Sequence, residues 1–270
     1  MNLIQYKRML YTWLSAGLLA SLCLFAPWTW PSAHADTDSG SIKPVYRVQT
    51  TVPMLALTFD DGPHPVYTAK LLRLLKSKGV RATFFLNGAQ VRKHPGLVKQ
   101  IVMQGHEVGN HGYVHRDLTK LTPLEIYHDL AKSHRLIERV SGQPVTYFRP
   151  MGGKLNRDVI DCARQLGMQI VLWSVDPKDW DLTNSAANIE QTLVHEAASG
   201  DIILLHDGGA HQETMMAALE NVIDHLQEKG FRFVTVGELL AASRTEQKVD
   251  GPLHNRKTIS HDKHKWCSCR

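Results

Sequence analysis

Between Val52 and Leu240 short apolar runs alternate with stretches whose apolar residues recur every three or four positions. The short runs predict strands over 55–59, 82–86, 107–110, 146–149, 170–175, 201–205 and 232–236. The longer stretches predict helices over 68–77, 97–104, 123–141, 156–166, 188–198 and 214–228. Strand followed by helix, repeated along the chain, implies a parallel sheet with helices packed outside it. Residues that carry chemistry fall at or just past strand ends: Asp60 and Asp61, His111, Arg149, Asp176 and His206. In a βα barrel those ends form one rim, where loops gather catalytic groups. An open doubly wound sheet would spread the same residues along a crevice.

Two stretches hold the strongest candidate chemistry, Thr58-Phe59-Asp60-Asp61-Gly62-Pro63 and His111-Gly112-Tyr113-Val114-His115. Adjacent carboxylates alternate across a strand, yet both can turn into a site where the strand ends, one to bind a metal and one to serve as base. Two histidines and a carboxylate are a common ligand set for a hydrolytic zinc with an open position. Either stretch alone has a plainer reading. Asp-Asp before Gly-Pro is often a turn, and a His-x3-His pair arises readily in a chain with 15 histidines.

Three later segments remove much of that ambiguity. Phe148-Arg149-Pro150-Met151-Gly152-Gly153, Asp176-Pro177-Lys178-Asp179-Trp180 and Leu204-Leu205-His206-Asp207 follow the first two in order. Together the five resemble the motifs of the polysaccharide deacetylases, the NodB-homology group of carbohydrate esterases (family 4). The resemblance implies an α/β fold, a distorted or incomplete (β/α)7 barrel with a single catalytic domain, and metal-dependent hydrolysis of N-acetyl groups on N-acetylhexosamine polymers. The apolar N-terminal segment and the basic C-terminal tail favour peptidoglycan over chitin oligomers; O-deacetylation of xylan is the alternative and a catalytically silent carbohydrate-binding barrel a further one, while the resemblance carries the site roles. It assigns Asp61, His111 and His115 to the metal, most simply zinc, with cobalt, nickel or manganese as substitutes. Asp60 becomes the base for the attacking water, oriented by Arg149. His206 becomes the acid for the departing nitrogen, with Asp179 as its carboxylate partner. Trp180 and Leu204 flank the acetyl methyl, and the Gly152 N–H faces the developing oxyanion. Two departures bear on shape. Gly112 stands where the family has Ser or Thr, which predicts less rigidly held histidines, and Gly152 stands where the family has Tyr.

The N-terminus changes the expected location. Lys7 and Arg8 precede an apolar run to about Trp28, followed by Ala33-His34-Ala35, a small-x-small site of the kind signal peptidase cuts. Residues 1–35 therefore read as a secretory signal. An uncleaved anchor stays open, because the run approaches the roughly 20 apolar residues that span a bilayer. In either case the catalytic part, 51–243, faces the outside as a secreted or wall- or membrane-associated domain, after a linker over 36–50.

The formal net charge of +5 is unevenly placed. Residues 244–270 hold seven basic residues against three acidic ones, leaving 22 basic and 23 acidic in the body after residue 35. The tail, without apolar periodicity, reads as disordered and suited to anionic wall polymer or membrane. Nucleic acid is not an expected partner. Cys162 reads as a packed core thiol, and Cys267 and Cys269 in the tail form no framework of paired cysteines.

Overall fold

The computed structural model describes residues 43–209 and 212–249. Seven parallel strands form its sheet: β1 (Met54–Asp60), β2 (Thr83–Leu86), β3 (Glu107–Asn110), β4 (Tyr147–Phe148), β5 (Gln169–Ile170), β6 (Ile202–His206) and β7 (Arg232–Phe233). Their order is β5-β4-β3-β2-β1-β6, with β7 beside the start of β1. The crossovers are α1 (Tyr67–Ser77), α2 (Gly88–Lys93), α3 (Pro95–Met103), α4 (Pro123–Ser141), α5 (Arg157–Gln165), α6 (Ala186–Glu196) and α7 (Gln212–Glu228), and α8 (Val236–Val249) follows β7. This is the curled, incomplete (β/α)7 barrel that the strand–helix alternation and the motifs imply.

β1 is buried along its whole length, so its two faces are both core. Leu55, Leu57 and Phe59 pack toward the helices with Leu71, Leu75 and Phe84. The alternate residues Met54 and Ala56 belong to an inner cluster with Phe85, Ile202 and Val236. Thr58 and Asp60 continue that inner face upward. Register then fixes the chemistry: Thr58 lies opposite Leu204 and Asp60 opposite His206 on the neighbouring strand. Two reactive side chains thus stand at one level, one strand spacing of about 4.8 Å apart.

The barrel closes irregularly between β5 and β6. The strand expected over 170–175 ends at Ile170, and beyond it Val175 alone bridges to Ile203. Lower down, the gap is filled by the entering chain: Val45 pairs with Val171 and Arg47 with Asp201, while Val48 is buried. This corrects the linker expected over 36–50, since its described end is part of the barrel wall. Val45 and Val48 are apolar and meet backbone groups the broken strand would otherwise leave unpaired. The boundary at 244 is also corrected, because α8 runs to Val249. Glu246, Gln247 and Lys248 are good helix formers, and the breakers Gly251 and Pro252 come only later. The rest of the tail and the 1–35 segment lie outside the described residues. Among those described, no helix is long and apolar enough to cross a membrane.

Candidate active site

At the carboxyl ends of the strands lies a cavity of about 400 Å³ lined by Asp60, Asp61, His111, His115, Gly152, Trp180, Leu204 and His206. Arg149 and Asp179 stand buried behind it. All ten residues singled out from the sequence therefore gather at one rim. The neighbouring aspartates reach it by different means. Asp60 ends β1 on the inner face, whereas Asp61 adopts a left-handed backbone (φ 72°) that turns its carboxylate back toward the same cavity. For a non-glycine residue that conformation costs about 1–2 kcal/mol, tolerated best by Asp and Asn.

Arg149 holds Asp60. Its side chain is fully buried and donates to Asp60 Oδ1 (2.9 Å), Thr58 Oγ1 (2.7 Å), the Val171 carbonyl (3.1 Å) and the Leu172 carbonyl (2.9 Å). The guanidinium also lies over the Phe85 ring at 4.1 Å. Thr58 was not singled out from the sequence; it looks like an ordinary strand residue until the fold brings Arg149 across the barrel.

The same Arg149 orients a histidine through its backbone. His111 Nδ1–H donates to the Arg149 carbonyl at 2.7 Å, and because a carbonyl only accepts, Nε2 is left to face the cavity. Asp61 Oδ1 lies 3.4 Å from His111 Nε2 and 3.5 Å from His115 Nε2. Two donors on one tetrahedral ion at about 2.1 Å sit roughly 3.4 Å apart. Asp61 Oδ1 is moreover buried without a hydrogen-bond partner among the described residues, since its contact with His111 has attraction but not hydrogen-bond geometry. The three side chains fit a divalent cation in donor chemistry and in the spacing of Asp61 to each imidazole. No group of three such side chains among the described residues is fully closed to hold an ion as it stands. Of the three, His115 is the most exposed, its side chain 64% accessible to solvent.

The charges agree with that reading. Burial opposes ionisation of Asp61, but His111, His115 and His206 outweigh it and its pKa is lowered. Burial likewise opposes charge on His111, yet Asp60 and Asp61 prevail and raise its pKa. A proton on Nε2 there would compete with a metal for the same lone pair.

The loop carrying both histidines is tied down more firmly than the loss of the family hydroxyl at Gly112 predicts. Gly112 has φ +81°, where a side chain would be strained. Its N–H donates to Asn110 Oδ1, its carbonyl accepts from the Gly88 N–H, and Asp129 Oδ1 accepts the Tyr113 N–H at 2.6 Å. Gly152 is also left-handed, at φ +58°, so a tyrosine there would need a different backbone. Met151 lines the cavity beside it.

Across the cavity, Asp179 grips His206 twice: Oδ1 accepts from Nδ1 at 2.8 Å and Oδ2 from the backbone N–H at 2.8 Å. Burial would lower the imidazole pKa, but Asp179, with Asp60 and Asp61 farther off, raises it to about 9. Asp207 was missed. It is fully buried, accepts from Thr68 Oγ1, and is pushed up to about 7 by burial and by Asp61 and Asp60. Only the fold, which seats it under the turn after Asp61, shows this. Two other histidines nearby have structural partners: His64 Nδ1 accepts the Val66 and Tyr67 N–H groups at the start of α1, and His106 packs in the core.

Comparison with known proteins gives a consistent picture. Residues 47–171 match the family model described as polysaccharide deacetylase. A peptidoglycan-N-acetylglucosamine deacetylase of Bacillus cereus is 40% identical over 72% of this chain and 92% of its own. A chitooligosaccharide deacetylase of Sinorhizobium fredii is 34% identical over 70% of this chain and 93% of its own. The crystal structure of a peptidoglycan N-acetylglucosamine deacetylase, bound to a naphthalenyl N-oxidanyl-benzamide, superposes with a TM-score of 0.70 at 35% identity, covering 73% of this chain and 92% of that one.

Proposed function

This chain belongs to the polysaccharide deacetylase family, and from that premise we propose that it hydrolyses the N-acetyl group of N-acetylhexosamine residues in a peptidoglycan-type glycan. One observation carries the reading: a held carboxylate, Asp60 on Arg149, and a held imidazolium, His206 on Asp179, share one cavity with Asp61, His111 and His115. A divalent ion on those three residues, zinc first and cobalt, nickel or manganese after it, would supply Lewis-acid polarisation of the water and acyl oxygen. Asp60 takes the proton of the attacking water, with Arg149 fixing its orientation. His206 keeps Nδ1–H on Asp179 and presents its Nε2–H to the departing nitrogen. Leu204 and Trp180 flank the acetyl methyl, and the Gly152 N–H faces the oxyanion.

The raised His206 pKa favours an amide over an ester. An amine leaves only when protonated, so a histidine held as imidazolium serves an acetamide most. Acetate release from peptidoglycan and N-acetylglucosamine oligomers, with little from acetylxylan, is the expected outcome. Release from acetylxylan alone would move the activity to O-deacetylation.

The same residue sets the alkaline limb. His206 acts while protonated, so acetamide kcat/KM should fall as pH rises through about 9. A dication at Asp61 offsets part of the attraction that holds the proton and moves the limb lower. Since the folded pKa lies above the free value of about 6.5, the stabilisation from the Asp179 pair is complete below that value. It is lost as pH rises through about 9. His206→Ala should cost roughly a hundredfold to ten-thousandfold on an acetamide, less on an ester, and erase the limb. An unchanged limb in the variant would assign it to another group.

We also place the enzyme outside the cytoplasm, on the basic start, apolar run and Ala33-His34-Ala35 of the sequence. The exported chain should begin at Asp36; an intact N-terminus in the membrane fraction would give the anchored form. The basic tail supports a contact with anionic wall or membrane.

A further inference from the structure

The catalytic cavity is the first of a series. A second, of about 420 Å³, shares Asp61, His115, Gly208 and Gly209 with it and extends to Val114. A third, of about 320 Å³, shares Val114 and adds Tyr113, His128 and Lys132. A fourth, of about 260 Å³, shares Tyr113 and Lys132 and is otherwise lined by Arg92, Arg135, Leu136 and Arg139. Adjoining hollows, each sharing lining residues with the next, thus run from the reacting centre past the His111–His115 loop to a cationic face.

That face is built into α4. Ile126, Leu130, Ser133 and Ile137 form its buried side. His128, Lys132, Arg135 and Arg139 repeat the same spacing two residues on, which puts them on the opposite, exposed side. Arg92 joins them from α2, which packs against α4. No carboxylate among the described residues pairs with Arg92, Lys132, Arg135 or Arg139. The nearby acids are already engaged: Asp129 with Arg116 and the Tyr113 N–H, Glu125 with the Thr122 cap, Glu138 with His134 and the Val145 N–H. In a body with 22 basic and 23 acidic residues such a cluster is a segregation of charge, not a general excess. Lys132 is also fixed in place, with Nζ 3.6 Å above the Tyr113 ring on the catalytic loop.

We propose that this face binds the carboxylates of the peptide stems borne by the same glycan whose sugar occupies the catalytic cavity, so that the enzyme selects stem-bearing polymer over neutral oligomer. The proposal rests on the deacetylase reading and gives it a substrate preference. Charge complementarity and the series of shared lining residues carry it. A guanidinium pair one helical turn apart, Arg135 and Arg139, suits carboxylates bound in fork geometry.

The test compares the full chain with Arg135→Glu/Arg139→Glu on wall sacculi with stems intact and on particulate chitin, an N-acetylglucosamine polymer without carboxylates. Both proteins carry the same basic tail, so their difference reports the face. Co-sedimentation, which needs no turnover, should weaken about tenfold or more for sacculi and stay unchanged for chitin, and the wild-type preference should shrink with added salt. Turnover should follow, with KM for soluble stem-bearing fragments raised about tenfold and turnover of N-acetylglucosamine oligomers unaltered. Equal weakening on sacculi and chitin, or none on either, overturns the proposal. So does loss of binding to phosphatidylglycerol vesicles with wall binding intact, which would make the face a membrane contact. If the glutamate pair does not fold, Arg135→Gln/Arg139→Gln carries the same expectation at smaller amplitude. Absence of acetate from every substrate would instead refute the deacetylase reading, while sedimentation still decides the face.

Discussion

Asp61→Asn is expected to lose both bound divalent ion and acetate release, whereas Asp60→Asn keeps the ion and loses only turnover. The difference follows from where each carboxylate points. Asp61 Oδ1 lies 3.4 and 3.5 Å from two imidazole Nε2 atoms and has no hydrogen bond among the described residues. A neutral amide oxygen there is a much weaker ligand than a carboxylate. Asp60 Oδ1 instead accepts from Arg149, and its Oδ2 lies 3.8 Å from His111 Nε2, farther than either Asp61 contact. Removing a general base typically costs about a hundredfold to ten-thousandfold in rate. Elemental analysis with acetate release checks both. Equal ion loss in the two variants would mean that both carboxylates bind the ion.

The second large effect is on stability. Arg149→Met should destabilise the fold by about 3–5 kcal/mol, because it strands a buried carboxylate and removes the donor of four hydrogen bonds. For a domain of this size each kcal/mol is worth roughly 2–4 °C, so thermal melts should show a fall on the order of 10 °C. Adding Asp60→Asn to Arg149→Met should recover part of the loss, since the unpaired charge is then gone. A double variant no more stable than Arg149→Met would place the cost in the Thr58, Val171 and Leu172 contacts. Arg149→Lys should fall between, since one ammonium cannot reach four acceptors spread around a planar fork.

The site was largely legible in the sequence because its residues lie in short motifs at strand ends, where local pattern predicts the element and the barrel supplies the convergence. What escaped was created by closure. Thr58 matters only because Arg149 reaches it from a strand 91 residues away. Asp207 follows a recognised histidine, but nothing local tells that it is sealed under Asp61. The fifth strand reads as continuous to Val175, since its apolar run does not reveal that the entering chain takes its place in the ladder. α2 was also missed; six residues with a glycine start are too short for a helical period to show.

The entering segment has a consequence for how this module can be mounted. Val45 and Arg47 dock beside Val171 and Asp201, and Asp201 directly precedes the first residue of β6. The start of α8 is held by Thr83 and Glu107, the first residues of β2 and β3. The first described residues therefore join the barrel, and the last described helix starts, at the rim away from the cavity, while the open rim is formed by internal loops. A fusion partner joined ahead of residue 43 would therefore be attached at the rim opposite the cavity, leaving the internal loops of the open rim unaltered in sequence.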